Sequence, residues 1–329
     1  MKDALTILVV GAGRFAANYM KVLAALGRRM PADLPPIGTV VVTRTSPAAA
    51  KETAAAWQRS PATGFSVLAD AVDCDSQLAS VLARHQPQLT CITARDPDVG
   101  DDIHARYAAL ALETGAVLME KNCAGALGDG ASLALVETLA RHPKVRHLGM
   151  ALPMAPLRAA MAARSPIDRA LSEAQEIRFH WETPHVGAMG LVQELALHPW
   201  SLLPAETAVS VAQVAQSADG ADIRLALAPT DSSCAASCHI RLQIGARRRT
   251  MDIGDLGLGF EFIEGYLKAV PLSETGTARS KTKMPRALCR TADPIRQHIL
   301  ACLRGEPLCG IDVIARSQRF LEALAGYRE

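Results

Sequence analysis

Two short clusters near the N-terminus, Gly11-Ala12-Gly13-Arg14-Phe15-Ala16 and Thr43-Arg44-Thr45-Ser46, carry residue types suited to gripping phosphate. Gly11 permits a tight turn whose dihedrals other residues avoid. Gly13 removes a Cβ that would hold a pyrophosphate away, and Ala16 is small enough for close packing of a helix on a strand. Backbone N–H groups at the start of such a helix face phosphate oxygens, and the helix dipole favours the negative charge. Context strengthens the pattern: an apolar run of strand character, 5–10, precedes it, and residues 16–26 repeat at helical spacing after it. This is the first strand–turn–helix of a dinucleotide site. The second cluster ends the next strand, where a carboxylate would bond the adenosine ribose hydroxyls of NAD. Here Arg44 offers a guanidinium fork to a 2′-phosphate, with Thr43 and Ser46 as hydroxyl donors and Lys51 as added charge. The charge argument favours NADP(H) over NAD(H), although Arg44 could also be merely exposed or stack on the adenine of NAD.

Further along, Glu120-Lys121 follows the apolar stretch 116–119, at the carboxyl end of a strand where open parallel sheets bind ligands. Glu194 precedes His198 by four residues, so one helix through both places them on one face. Reduction of a carbonyl or imine requires protonation of the heteroatom, which suits an imidazole titrating near neutrality and a nearby ammonium. On residue type alone, His198 reads as a satisfied core or capping histidine.

The elements that must position these residues fall into two halves. Strand patterns at 38–43, 67–69, 89–93, 116–119 and 145–150 alternate with helical ones at 47–57, 77–85, 103–113 and 130–141. This alternation predicts a doubly wound parallel sheet with helices on both faces. The second half alternates polar and apolar residues at 176–181, 209–215, 223–228 and 239–244, which predicts a mostly antiparallel sheet, and helical patterns return at 294–304 and 313–324. The expected fold class is α/β, with a dinucleotide-binding domain at 1–148 and an α+β substrate-binding and oligomerisation domain at 149–329, whose C-terminal helices have the option of packing back on the first domain. At 329 residues the chain is long enough for two cores.

Composition excludes several function classes. Thirty-five basic and 33 acidic residues leave a net charge of +2, which points to no nucleic-acid or membrane-surface partner. Arg247-Arg248-Arg249 reads as a solvated turn. No apolar run approaches the roughly 18–20 residues of a membrane helix, and the N-terminus lacks signal-peptide character; the expected location is the cytoplasm. The eight cysteines are scattered, as buried thiols of a cytosolic chain are. Cys234-x-x-x-Cys238-His239 has one residue too many for haem attachment and lacks paired zinc spacing, so no metal is assigned.

Taken in order, four landmarks resemble the GFO/IDH/MocA oxidoreductases (glucose–fructose oxidoreductase, inositol dehydrogenase and rhizopine-catabolism proteins). They are the glycine loop at 11–16; the strand 89–93, with Thr93, leading to His104-Ala105; Met119-Glu120-Lys121-Asn122, similar to Glu-Lys-Pro; and Gly187-Ala188-Met189-Gly190…Glu194…His198, similar to Gly-Gly-Gly…Asp-x-x-x-His. Asp293-Pro294…Gly305-Glu306-Pro307 also fits, so the likeness covers nearly the whole chain. The resemblance implies a Rossmann domain, a second domain with an open sheet, and a homodimer or homotetramer formed through that sheet. It implies NAD(P)-dependent hydride transfer to or from a small carbonyl or alcohol substrate. His198 is then the acid/base and Lys121 contacts substrate oxygen and nicotinamide ribose, while Glu194 orients the substrate or the histidine. The cofactor-binding candidates are Gly11, Gly13, Arg14, Phe15, Thr43, Arg44, Thr93, His104, Glu120 and Lys121. His180, Trp181, Glu182, His185 and Trp200 are candidates for the cleft lining, each equally readable as structural.

Three positions depart from the family pattern. Asn122 replaces its proline, Ser201 stands where an aspartate usually follows the histidine, and 149–156 is apolar where sugar-active members carry Asn and Arg. Many hydroxyls need polar partners, so the expected substrate is less hydroxylated than a free sugar: a modified sugar, a keto acid or a cyclic imine. The alternatives are an imine reductase of the same family and a non-catalytic dinucleotide-binding sensor or regulatory protein.

Overall fold

The computed structural model describes residues 3–13, 15–59, 64–95, 102–125, 127–128, 130–162, 175–184, 190–203, 207–228, 236–254, 256–263, 266–272 and 289–327. The chain divides into two compact units, Met1–Ala151 with Ile295–Gln318, and Leu152–Pro294 with Arg319–Glu329.

Unit 1 begins with β1 (Leu5–Val10), whose residues are almost all buried, as a strand covered on both faces requires. Helix α1 (Ala17–Arg28) returns over it, burying Tyr19, Met20, Val22, Leu23 and Leu26 on one face. The pattern repeats through β2 (Ile37–Arg44), α2 (Pro47–Gln58), β3 (Ser66–Ala71), α3 (Asp75–His85), β4 (Leu89–Ile92), α4 (Asp102–Ala111), β5 (Ala116–Glu120), α5 (Ala131–Ala140) and β6 (Leu148–Ala151). All six strands are parallel, in the order β3-β2-β1-β4-β5-β6. That is the dinucleotide-binding order, and its direction reverses between β1 and β4. The crevice beyond the carboxyl ends of these two strands is where the glycine loop lies. From the C-terminal part of the chain, Ile299 and Cys302 on α9 (Pro294–Leu303) join the core formed by Ile7, Val9, Leu23 and Leu118.

Unit 2 holds α6 (Met154–Ala162), the short helices α7 (Gly190–Leu195) and α8 (Leu197–Trp200), and an eight-stranded sheet. Its strands are β7 (Glu176–Thr183), β8 (Ala208–Gln216), β9 (Gly220–Ala228), β10 (Ala236–Ile244), β11 (Arg249–Ile253), β12 (Leu256–Ile263), β13 (Tyr266–Pro271) and β14 (Cys289–Ala292). The order is β14-β13-β12-β11-β7-β10-β9-β8, antiparallel except where β7 pairs with β10. Alternation separates the two faces. Ile177, Phe179 and Trp181 of β7 are buried with Cys238, Ile240 and Leu242 of β10. Of the residues between them, Arg178 pairs with Glu176, while His239 and Arg241 both reach Asp222. Helix α7 packs on β9 and β10, and α10 (Ile311–Gly326) ends the helical order of the chain. The α/β class with a parallel and a mostly antiparallel sheet is as expected.

One strand boundary differs. Val145–His147, expected to begin a strand, forms a 3₁₀ turn, and β6 starts at Leu148. Val145 N–H bonds the His142 carbonyl and His147 N–H bonds the Lys144 carbonyl, so local turn bonds displace the ladder there.

Candidate functional site

Gly11 has φ +81°, and a Cβ there would lie 2.3 Å from the Ala94 Cα. Both its dihedral and the approach of the chain after β4 therefore demand glycine. Gly13 is different: the nearest atom to a Cβ there is the Gly11 carbonyl oxygen at 3.8 Å. Among the described residues nothing requires glycine at 13, whereas a phosphate lying over the loop would. The residues present thus fit a dinucleotide. Phe15 is 49% exposed beside the loop, its ring tilted against Tyr19 with centroids 6.4 Å apart. Arg14, also a cofactor candidate, lies outside the described residues.

Two threonines expected to contact the cofactor brace the loop from inside. Thr43 is fully buried: its hydroxyl accepts from the Gly11 N–H at 3.3 Å and donates to the Val9 carbonyl at 3.4 Å. In this arrangement the Thr43 hydroxyl ties the glycine turn to β1. The Thr93 hydroxyl likewise faces the Val10 and Gly11 carbonyls at 3.1 and 3.0 Å, joining β4 to the glycine turn. Ser46 caps α2 by accepting from the Ala49 N–H. Arg44 remains half-buried, folded over the loop with Nη1 3.4 Å from the Ala12 carbonyl oxygen.

At the carboxyl end of β5, Glu120 is nearly buried and accepts a short hydrogen bond from the Tyr19 hydroxyl. Burial, followed by the charge of Glu120, holds the Tyr19 hydroxyl well above its ordinary pKa, so it stays protonated and donates. One oxygen of the expected cofactor ligand Glu120 is therefore committed to α1. Burial also raises the neighbouring Cys91 thiol, with the charges of Cys302 and Glu120 adding to the effect. Lys121 follows, half-buried, and the Lys121–Asn122 peptide is cis.

His104 is fully buried, with Nδ1 2.6 Å from the Asn122 carbonyl oxygen and Nε2 2.7 Å from that of Ala94. Carbonyls only accept, so the imidazole serves both only with a proton on each nitrogen. His104, expected to contact cofactor, is a fully buried ring whose two nitrogens both lie against backbone carbonyls. Its place is that of a brace between the chain after β4 and the chain after β5.

In unit 2, Glu194 on α7 and His198 on α8 are both half-buried. Pro199 has no N–H to give the Leu195 carbonyl, which separates the two short helices. Ala196 still bonds Val192 and Trp200 still bonds Ala196, so the helical path continues and places Glu194 and His198 one turn apart. The His198 ring stacks on Trp181 with centroids 5.8 Å apart and planes 9° from parallel. Phe260 packs against the same indole. The Ser201 hydroxyl donates to the His198 carbonyl. Of the remaining cleft candidates, His180 Nε2 lies 3.0 Å from a Glu182 carboxylate oxygen and Trp200 stacks on Phe320. His185 and Gly187-Ala188-Met189 lie outside the described residues.

Sequence reasoning missed the roles of two residues, Tyr19 and Arg249. Tyr19 looked like one more core residue of α1, because its partner is 101 positions away. Arg249 was taken for part of a solvated turn. Instead it opens β11 opposite Trp181, its guanidinium 5.8 Å above the indole centre. The alternation Arg249–Met251–Ile253 is the signal that could have found it. Cys238 is buried within β10 and burial raises its thiol pKa strongly, while Cys234 lies outside the described residues. Among the described residues no group of three or more His, Cys, Asp or Glu could hold a metal ion, and no helix is long and apolar enough to cross a membrane.

No protein-family model matches the sequence, and no curated protein does. Solved structures do match the fold. An NAD-binding oxidoreductase from Klebsiella pneumoniae is similar over 98% of this chain and 97% of its own, at 14% identity and a TM-score of 0.65. An oxidoreductase domain protein from Kribbella flavida covers 98% and 96%, at 16% identity and 0.63. Levoglucosan dehydrogenase in complex with NADH and levoglucosan covers 98% and 98%, at 12% identity and 0.62. At these identities the likeness is one of fold.

Proposed function

We propose that this chain is an NAD(P)-dependent oxidoreductase, with NADP(H) preferred, acting on a small carbonyl, imine or alcohol substrate. The observation that carries the reading is Gly13, a glycine that packing among the described residues does not require, at the switch point of a dinucleotide-ordered sheet. Structures of the same fold that bind NADH with a small substrate support it. Gly11 and Gly13 give the pyrophosphate backbone access, and Arg44 pairs with the 2′-phosphate. The bound nicotinamide supplies or accepts a hydride. Lys121 donates a hydrogen bond to the substrate oxygen, and His198 exchanges a proton with the reacting heteroatom. Glu194 orients the substrate or His198. Assembly is as a homodimer or homotetramer through the second sheet.

A dinucleotide-binding sensor is the second reading. Ser201 favours it, since its hydroxyl is bonded to the His198 backbone where the resembling enzymes have an aspartate. One experiment separates them: purified protein with NADPH or NADH and a panel of carbonyl and imine compounds, followed at 340 nm. The enzyme reading predicts turnover that falls by roughly 10²–10⁴-fold in Lys121→Ala and His198→Ala, with cofactor affinity largely kept. Binding without turnover, unchanged by either substitution, would establish the sensor. The Arg44→Asp variant is expected to reverse the preference toward NADH; an unchanged NADPH/NADH ratio would contradict the assigned role of Arg44.

A further inference from the structure

The inner face of the second sheet is apolar along β7, β10 and β11, with one exception. Met251 and Ile253 of β11 lie opposite Phe179 and Ile177, and all four are buried. Arg249 is the next residue in that row, opposite Trp181. Its neighbours Arg247 and Arg248 are exposed, whereas Arg249 is turned inward and only partly accessible. Its Nε is sealed from solvent and has no hydrogen-bond partner. Among the described residues no carboxylate pairs with it; its recorded contact is the face of Trp181. Burial, followed by the charge of Arg247, pulls its pKa down.

An inward guanidinium costs desolvation, and a cation–π contact offsets only part of that. A guanidinium is nonetheless rigid, always charged and built to take a carboxylate or phosphate by two parallel N–H bonds. The same indole carries the stacked ring of His198, so the uncompensated cation and the assigned acid/base both contact Trp181.

We propose that Arg249 recognises an acidic group, carboxylate or phosphate, on the substrate, which is therefore an anion. This rests on the reading of His198 as the residue that meets substrate. It also fits the scarcity of polar side chains at 149–156, because a single charge-assisted fork anchors a small acid without a lining of hydroxyl partners.

The test is calorimetric titration of the full-length protein, with and without saturating NADPH, using D-glucuronate, pyruvate, D-glucose 6-phosphate and uncharged D-glucose. The proposal predicts that at least one acidic probe binds roughly tenfold or more tighter than glucose, weakening as salt rises. Glucuronate or pyruvate against glucose 6-phosphate distinguishes carboxylate from phosphate. Arg249→Gln is expected to erase the preference, Arg249→Lys to keep part of it and Arg247→Gln to keep all of it. Should Arg249→Gln fail to fold, the graded loss in Arg249→Lys carries the same test. Equal affinity for acidic and uncharged probes, or an acid preference that survives in a folded Arg249→Gln protein, would overturn the proposal. Failure of NADPH to bind sinks the oxidoreductase reading but leaves an Arg249-dependent acid preference standing. Turnover confined to uncharged compounds does the reverse.

Discussion

Tyr19 and Glu120 show what a single buried contact does for the candidate site. The phenol donates from α1, the helix after the glycine loop, to the carboxylate that immediately precedes Lys121. Removing that donor leaves a nearly buried carboxylate short of a partner, which costs about 2 kcal/mol. Tyr19→Phe is therefore expected to lower the urea midpoint and to reduce turnover through Lys121. Unchanged stability by chemical denaturation would show that Glu120 finds another donor. At this scale the sequence was legible where a residue type has few uses. Gly11 in a strand–turn–helix is such a case: its positive φ and the close approach of Ala94 bear out the tight turn. For Thr43 and His104 the residue type alone does not separate a ligand contact from a loop brace, because polar residues at strand exits can serve either. Their partners, the backbone of residues 9, 11, 94 and 122, are set by tertiary approach. Tyr19 and Arg249 escaped for the same reason in reverse: each sits in a pattern with a plain local explanation.

Elements were legible to the extent that their periodicity was uninterrupted. The six parallel strands of unit 1 are short apolar runs with helical segments between them, and these were recovered, with β6 starting later than expected. In unit 2 the strands β7 to β10 alternate clearly. By contrast β11 begins in an arginine run, and β12 carries Gly257 and Gly259 where an alternating pattern would show side chains. The joint between β3 and α3 yields a test at this scale. Asp70 on β3 accepts from Arg84 at 2.5 Å and His85 at 3.1 Å, both in the last turn of α3, and from the Ala71 N–H. Burial pushes the Asp70 pKa up, but the bonds from His85, Ala71 and Arg84 together outweigh it and hold the carboxyl below its ordinary value. A carboxyl lowered in the folded state stabilises the fold above its unfolded pKa of about 3.9, and that contribution disappears as pH falls through the lowered value. Compared with Asp70→Asn, the wild-type protein is thus expected to lose stability more steeply below about pH 4. Parallel denaturation curves for the two proteins across pH 5 to pH 3 (a window of about one unit either side of that pKa) would contradict this.

For the molecule as a whole, the fold class followed from the change of pattern midway along the chain, from strand–helix alternation to polar–apolar alternation. For unit 1, the sequence left open whether the C-terminal helices return to the first domain. Unit 1 takes up Ile295–Gln318 as well as the first 151 residues, because the apolar face of α9, with Ile299 and Cys302, completes a core that begins at Ile7. Amphipathicity reveals that a helix has a face to bury but not which core will receive it. The account of function rests on the dinucleotide crevice of unit 1. Its most direct test is titration of NADPH into the wild-type protein and into Gly13→Ala, with thermal unfolding of both measured alongside. Since, among the described residues and apart from its chain neighbours, a Cβ at 13 meets no atom closer than 3.8 Å, the substitution is expected to leave the unfolding temperature essentially unchanged. It should weaken NADPH binding by at least roughly tenfold, because the methyl group occupies the space of the pyrophosphate. Saturable NADPH binding of equal strength in both proteins, or none in the wild type, would contradict the assignment of this loop to a dinucleotide.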